Sequence, residues 1–526
     1  MAANDFYVNG SGNTLGMSLK DAYAVGSGGS VAKVGDTYAI TGQGVVKLGE
    51  ASSPNVPSGE PDGTTIDVSY STVRVAIQFG NSALPSAAIE NKSGGGFKFG
   101  YYDSSRSFHE VASTNASKVT MVPDVNTSVS SGTVGCYHIK LSGSYSSFSA
   151  ASQAAGRFNG GFPAYYDGKY YALVGNYPST QAAQTALDSL GVSGAVFTAS
   201  SKAVAVVTTG TTKILFEYDC GGSSFLAAVP SGSGKPQTRI ASSGHSFYGG
   251  FEFYRQVSGK LTVINLVGLE DYVKGVLPYE MSASWPIEAL KAQALAARTY
   301  FARNINTYSS YRADVVNTSA SQVYYGVSGA SDNSNAAVDQ TAGQYVTYGG
   351  KLCDTLYYSG NGGGSEDSEN VFVTAYPYLV GVIDPYEKDA EINPNKLWTR
   401  TRSKAEIAAK IVASGKSFGT FASMDVTYSD TNNAIAVTFT DTQGRTATYS
   451  KSACFGFFYN SNRLALPSIH FTYEVSGDNV IFTGSGWGHS VGMSQYGAYA
   501  MAKHHGFNYR QIIRFYYTGA NISTGY

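Results

Sequence analysis

Charge is what this sequence has least of: Asp, Glu, Lys and Arg together make up 14% of its 526 residues, against about 25% in ordinary soluble domains. The 36 basic and 37 acidic side chains nearly cancel, for a net charge of −1. No broad basic field exists to hold nucleic acid or an anionic membrane surface, so both partner classes drop out. Long apolar runs are also missing. None reaches the ~18–20 residues that cross a bilayer as a helix, so no transmembrane segment is expected in this chain. The opening Met1-Ala2-Ala3-Asn4-Asp5 has neither the basic start nor the apolar stretch of an export leader. Only four cysteines occur, Cys136, Cys220, Cys353 and Cys454. Without a Cys-x-x-Cys pair, a zinc knuckle and a thioredoxin-like motif are excluded. Two disulfides would fit the even count, and four small buried hydrophobes fit it slightly better.

Glycine (61) and tyrosine (40) fill the gap, with apolar residues at 43%. Such a composition excludes disorder for most of the chain and supplies cores for more than one domain. Residues 1–65 read as a loosely structured Gly/Ser-rich segment, with a little strand at Tyr38-Ala39-Ile40. Residues 66–240 read as strand-rich, beginning with the alternation at Val73-Arg74-Val75-Ala76-Ile77. Within them, a strand at 168–175, a helix from Ser179 to Leu190 stopped by Gly191, and strands at 195–197 and 203–207 form a β-α-β unit. In outline the stretch from about 165 to 220 loosely resembles half of a SPOR module, a type that binds bare glycan strands. A small unit with no ligand is the better reading of it. Residues 241–526 begin with a hairpin over 251–254 and 261–265, and no internal repeat recurs at a fixed period.

The chemistry concentrates in residues 269–303, LEDYVKGVLPYEMSASWPIEALKAQALAARTYFAR. Pro278 and Pro286 bracket a predicted loop containing Tyr279, Glu280 and Met281. Pro286 suits the first turn of a helix and Ser284 suits its cap. The alanine-rich stretch from Ile287 to about Arg303 predicts that helix, with Lys291, Leu295 and Arg298 on one face. Glu280 lies among Val276, Leu277, Pro278, Met281 and Trp285. A carboxyl group desolvated by such neighbours has its pKa raised, as a general acid at neutral pH requires. On residue types alone, an exposed loop glutamate and two surface cations explain the same letters.

The stretch resembles the hallmark region of the SpoIID/LytB family, the stage II sporulation protein D type of peptidoglycan lytic transglycosylase and amidase enhancer. Two later blocks resemble it as well. YYSGNGGGSEDSENVF (357–372), followed by YPYLVGVIDPY (376–386), matches a serine- and glycine-rich loop and the strand after it. GSGWGHSVGMSQYGAYAMA (484–502), followed by FNYRQIIRFYYTGANI (507–522), matches the C-terminal signature. The resemblance implies that Glu280 is the catalytic carboxyl group and that Lys291 and Arg298 orient it or hold substrate oxygens. Tyr357, Tyr358, Ser359, His489, Ser494, Gln495 and Tyr496 fall in the two later blocks, where sugar contacts and plain structural roles are both open. The sequence departs from the zinc-binding members at 314–327, where Val316, Ala320 and Ser321 replace two cysteines and a histidine. None of the three can ligate zinc, so no metal and no cofactor is expected, with packing and polar contacts holding that loop.

These readings combine into an α+β protein: a strand-rich N-terminal region and a mixed α/β catalytic core forming a glycan cleft. The resemblance implies cleavage of the MurNAc–GlcNAc bond of peptidoglycan, in strands stripped of stem peptides, to give 1,6-anhydroMurNAc ends. Glu280 would act first as acid and then as base. One rival is a non-catalytic glycan-binding enhancer of an N-acetylmuramoyl-L-alanine amidase. Another is a muramidase-type hydrolase with Asp271, Glu288, Glu366 or Asp384 as the second carboxylate that water-using glycosidases need. The substrate places the protein outside the membrane at the cell wall, with its leader already removed.

Overall fold

Valines, alanines and aromatics spaced for one face of a strand dominate the first half, and they form two large sheets. The computed structural model describes residues 65–68 and 71–525 throughout, and before them the backbone of four short strands at Ala22–Val25, Val31–Val34, Tyr38–Thr41 and Gly44–Lys47. The rest of the expected loose segment lies outside the described residues. The chain divides into Met1–Gly59 and Glu60–Tyr526, and everything below concerns the second unit.

A seven-stranded sheet runs in the order Val315–Val316, Thr72–Gln78, Leu261–Gly268, Gly250–Arg255, Leu226–Pro230, Phe97–Tyr102, Phe108–Thr114. It takes strands from both sides of residue 240, where composition had suggested a boundary. Thr72–Gln78 buries Val73, Val75, Ala76 and Ile77. A ten-stranded sheet contains, at one end, Gly194–Phe197, Tyr137–Leu141, Lys169–Tyr177 and Gly161–Tyr166 in that order. With helices Phe148–Ala155 and Thr180–Leu190, these four antiparallel strands make a complete split β-α-β-β-α-β unit over residues 137–197. The sequence had shown only its second half. The later helix is capped by the Ser179 side chain and closed by Gly191 at φ 59°, a left-handed position that glycine adopts without strain.

Two helices carry the hallmark stretch. Leu269–Glu280 follows directly on the strand Leu261–Gly268. It runs through Pro278, so Glu280 is its last helical residue and the expected loop begins only at Met281. A proline so near the end removes one N–H bond, and the Met281 N–H still closes the turn on the Leu277 carbonyl. Ile287–Arg303 then forms the predicted alanine-rich helix. Pro286 precedes it and accepts the Leu290 N–H, while Ser284 instead meets the Ser282 hydroxyl at 3.0 Å and caps nothing. Ala289, Ala292, Ala294, Ala296 and Ala297 are fully buried, so other elements pack close on nearly every side of this helix.

Residues 376–386 do not form the expected strand; their backbone turns, with Leu379 N–H on the Tyr376 carbonyl and an isolated bridge from Ile383 to Gly364. Tyr357–Tyr358 pairs in parallel with Met493–Ser494, which brings the two later blocks together. Two three-stranded sheets also belong to this unit, one from Trp398–Ser403, Asn479–Gly484 and Phe471–Ser476, the other from Phe421–Tyr428, Ala434–Asp441 and Thr446–Ser450. All four cysteines are free thiols; Cys353 and Cys454 are buried, Cys136 and Cys220 half-buried. Among the described residues no helix is long and apolar enough to cross a membrane.

Candidate active site

Glu280 ends its helix half-buried, and what surrounds its carboxyl group is neutral. The Val323 backbone N–H donates to Oε1 at 2.9 Å. The Tyr357 hydroxyl and the Gln495 amide also face it, and both favour the ionised form. Burial outweighs these donors, and the pKa is raised above the ordinary carboxylate value.

Tyr357 is aimed by a chain of hydrogen bonds with only one consistent direction. The Tyr272 hydroxyl donates to Oε1 of Gln322 at 3.0 Å. Nε2 of Gln322 then donates to the Ala297 carbonyl at 3.3 Å and to the Tyr357 hydroxyl oxygen at 3.1 Å. Reversing the amide would set its oxygen against the Ala297 carbonyl, so the orientation is fixed. Tyr357, already accepting, has its own proton left for Glu280. From behind, Nε2–H of His489 donates to the Tyr357 backbone carbonyl at 3.0 Å, and Nδ1 accepts the Val491 N–H at 3.2 Å. That imidazole is neutral, and burial pushes its pKa down to about 4.

The C-terminal block closes over the same place. Ser494 caps the helix Gln495–His504 by accepting the Gly497 N–H and donates to Oε2 of Glu387 at 2.6 Å. Gln495 opens that helix beside Glu280. The Tyr496 N–H donates to the Ser359 carbonyl at 3.0 Å. Trp285, in the loop after Glu280, packs its ring at a tilt, 5.2 Å from Tyr496 and 5.1 Å from Tyr499. Asn333 holds the loop through the Ala283 and Trp285 carbonyls.

The two cations share a helix face as predicted, but that face meets protein. Nζ of Lys291 donates to Oε1 of Glu288 at 2.6 Å and lies over the Tyr509 ring. Tyr509 donates to the Gln344 side chain, and Arg298 donates to the Gln344 backbone carbonyl. Arg298 is fully buried and grips Glu270 in two-point fashion, at 2.9 and 2.6 Å. Glu270 lies at the opposite end of the helix from Glu280, about 15 Å along its axis. A cleft of about 330 Å³ opens at that end, lined by Ser71, Lys235, Glu270, Asp271 and Tyr345 among others.

Each rival carboxylate is committed elsewhere. Asp271 takes Lys235 at 2.7 Å, and Glu288 takes Lys291 and the Tyr509 N–H. Glu366 accepts from Asn370, Ser429 and Thr431. Asp384 accepts from Asn361, Tyr516 and two backbone N–H groups. At 314–327, Ser321 Oγ accepts the Val316 N–H, Tyr308 donates to the Ala320 carbonyl, and Val316 packs with Ala76 and Ala313. Asp314 there is held by Arg106 at 2.6 and 2.8 Å. Sequence reasoning gave Gln322, Val323 and Tyr272 no role.

A profile described as "Stage II sporulation protein" matches residues 257–348, which include the Glu280 helix and Gln322. Stage II sporulation protein D of Bacillus subtilis is 33% identical over 272 residues, covering 49% of this chain and 75% of the relative. This chain belongs to the stage II sporulation protein D family. An uncharacterised protein of Brachyspira hyodysenteriae is 36% identical over 285 residues, 53% of this chain and 73% of that one. The amidase enhancer of Bacillus subtilis is 32% identical over 297 residues, but the match covers only 40% of its length and 48% of this chain. The family likeness thus takes in about half of the present chain.

Proposed function

We propose that this SpoIID family member is a peptidoglycan lytic transglycosylase acting at the cell wall, with Glu280 as its one catalytic carboxyl group. The observation that carries the reading is a raised-pKa glutamate faced by neutral hydrogen-bond donors. Protonated Glu280 gives its proton to the glycosidic oxygen between MurNAc and GlcNAc as the C1–O bond breaks. The carboxylate, steadied by the Val323 N–H, Tyr357 and Gln495, then takes the proton of the C6 hydroxyl. O6 closes on C1 of the same sugar, and no water is consumed. One group serves both transfers because it is re-ionised by the first, and burial makes its protonated start accessible near neutral pH.

In this scheme Lys291 and Arg298 act through the packing they hold, since both are paired with glutamates of the protein. Tyr496, Tyr357 and Ser359 supply the edge that sugars would meet, and peptide-free strands are the substrate the resemblance favours. Such a substrate places the protein outside the membrane.

The likeness to an amidase enhancer supports a second reading, in which glycan is held but not cut and a cell-wall amidase is the working partner. Incubating purified peptide-free strands with wild type and Glu280→Gln and weighing the products separates the readings. Anhydro-ended fragments from wild type alone are expected. Fragments heavier by one water would make the protein a hydrolase. Strands bound intact by both proteins, with a partner amidase stimulated equally, would favour the enhancer.

A further inference from the structure

A second set of ionisable side chains lies in the ten-stranded sheet, far along the chain from Glu280. Asp124 follows the strand Lys118–Pro123, His138 stands on Tyr137–Leu141 and Glu217 on Ile214–Asp219. His138 and Glu217 are wholly buried and Asp124 nearly so. Among the described residues, no other group of three His, Cys, Asp or Glu side chains brings its donor atoms this close, all within 4.8 Å of one another.

The histidine decides what the cluster can be. Nδ1 lies 2.7 Å from the Gly175 carbonyl, so it carries a proton and donates it there. In a neutral ring Nε2 then presents a lone pair, yet it faces two carboxylate oxygens, Oε2 of Glu217 at 3.2 Å and Oδ1 of Asp124 at 3.4 Å. Three electron-rich atoms cannot share a dry pocket unless something positive lies between them. A backbone carbonyl on the far nitrogen is also how metal-bound histidines are oriented. The buried Tyr166 hydroxyl faces Glu217. Among the described residues, no other protein group donates a hydrogen bond to the two oxygens of Glu217 besides what His138 and Tyr166 can offer. Four-coordinate zinc with bonds of about 2.0–2.1 Å needs ligand atoms about 3.3–3.4 Å apart, which matches the spacing around Nε2.

We propose that Asp124, His138 and Glu217 form a site for one divalent transition-metal ion of zinc-like chemistry, with the Tyr166 hydroxyl at its edge. An imidazole with two carboxylates suits zinc and its neighbours better than calcium or magnesium, which prefer oxygen alone. The two carboxylates balance the ion's charge. Buried on every side, the ion is taken up as the sheet folds, and it ties the split β-α-β-β-α-β unit to the strands beside it.

The test unfolds the full chain in urea with EDTA and refolds it with Zn²⁺ or Co²⁺ present before gel filtration. One equivalent of metal per chain should survive filtration, and the Co²⁺ protein should show the visible absorption of a four-coordinate ion. Glu217→Gln and His138→Gln should each cut retention at least tenfold. Glu280→Gln should retain a full equivalent, so the result stands apart from the lytic reading. Wild type that keeps no metal would overturn the proposal, and so would equal retention by the two ligand variants. Should the ligand variants fail to fold, stoichiometry and the Co²⁺ spectrum of wild type still decide. Unchanged thermal stability with and without EDTA would instead mark the triad as an imidazolium held between two carboxylates.

Discussion

One helix carries a glutamate near each end, and the protein treats them in opposite ways. Glu270, at the start, receives both arms of Arg298 and the Gly343 N–H, and is held in a fixed place. Glu280, at the end, receives one backbone N–H and faces neutral groups only. A carboxylate beside a guanidinium is a poor proton donor near neutral pH because the cation favours its ionised form. A carboxylate given dipoles instead can be protonated and re-ionised without leaving its place. The cation that a sequence reading would put next to Glu280, Arg298, is paired a helix-length away from it.

The largest effect should come from removing the reactive end. Glu280→Gln should lower glycan cleavage by about a hundred- to ten-thousand-fold, as measured by release of anhydro-ended fragments, with the folded structure kept. Disabling the anchored end should act on folding: Arg298→Met should cost about 3 kcal/mol in urea unfolding, the low end for a broken buried pair because Glu270 is 33% exposed. Adding Glu270→Gln should recover part of that loss, and failure to recover any would unseat the pairing as the cause.

Smaller changes sharpen the contrast. Tyr357→Phe removes a donor that favours ionised Glu280, so the alkaline limb of the pH–rate profile should move upward. The rate should fall about tenfold, the value of one hydrogen bond to a charged group. Smallest is a stability effect of opposite sign to most mutations. Because burial raises the folded pKa of Glu280, its contribution is complete below the unfolded value and is lost as pH rises through the folded one. Glu280→Gln should therefore match wild type in acid and melt higher than wild type in mild alkali.

Much of this was legible in the letters. The alternation at Val73–Ile77, the Ser179-to-Gly191 helix and the alanine-rich helix all rest on local propensity and stand where they were expected. Glu280, Tyr357 and Gln495 do meet. Pro278 misled because proline is read as a breaker, while in a last turn few helical bonds remain to lose. The resemblance implied a strand at 376–386, but Ser365 and Asp367 side chains take the Val382 and Gly381 N–H groups that a ladder would need. Nothing local marked Asp124, His138 and Glu217, since they come from three strands with no motif spacing. Arg298 shared a face with Lys291 as predicted, yet only its partner, Glu270, revealed which end of the neighbouring helix it serves.

The parallel pairing of Tyr357–Tyr358 with Met493–Ser494 also bears on when this protein becomes capable of anything. Contacts that join segments so far apart in sequence form slowly, after local helices and hairpins. A polypeptide emerging from a ribosome already contains Glu280, but not yet Gln495 to face it or His489 to back Tyr357. The grouping around Glu280 is therefore withheld by synthesis order until the C-terminal block has reached it.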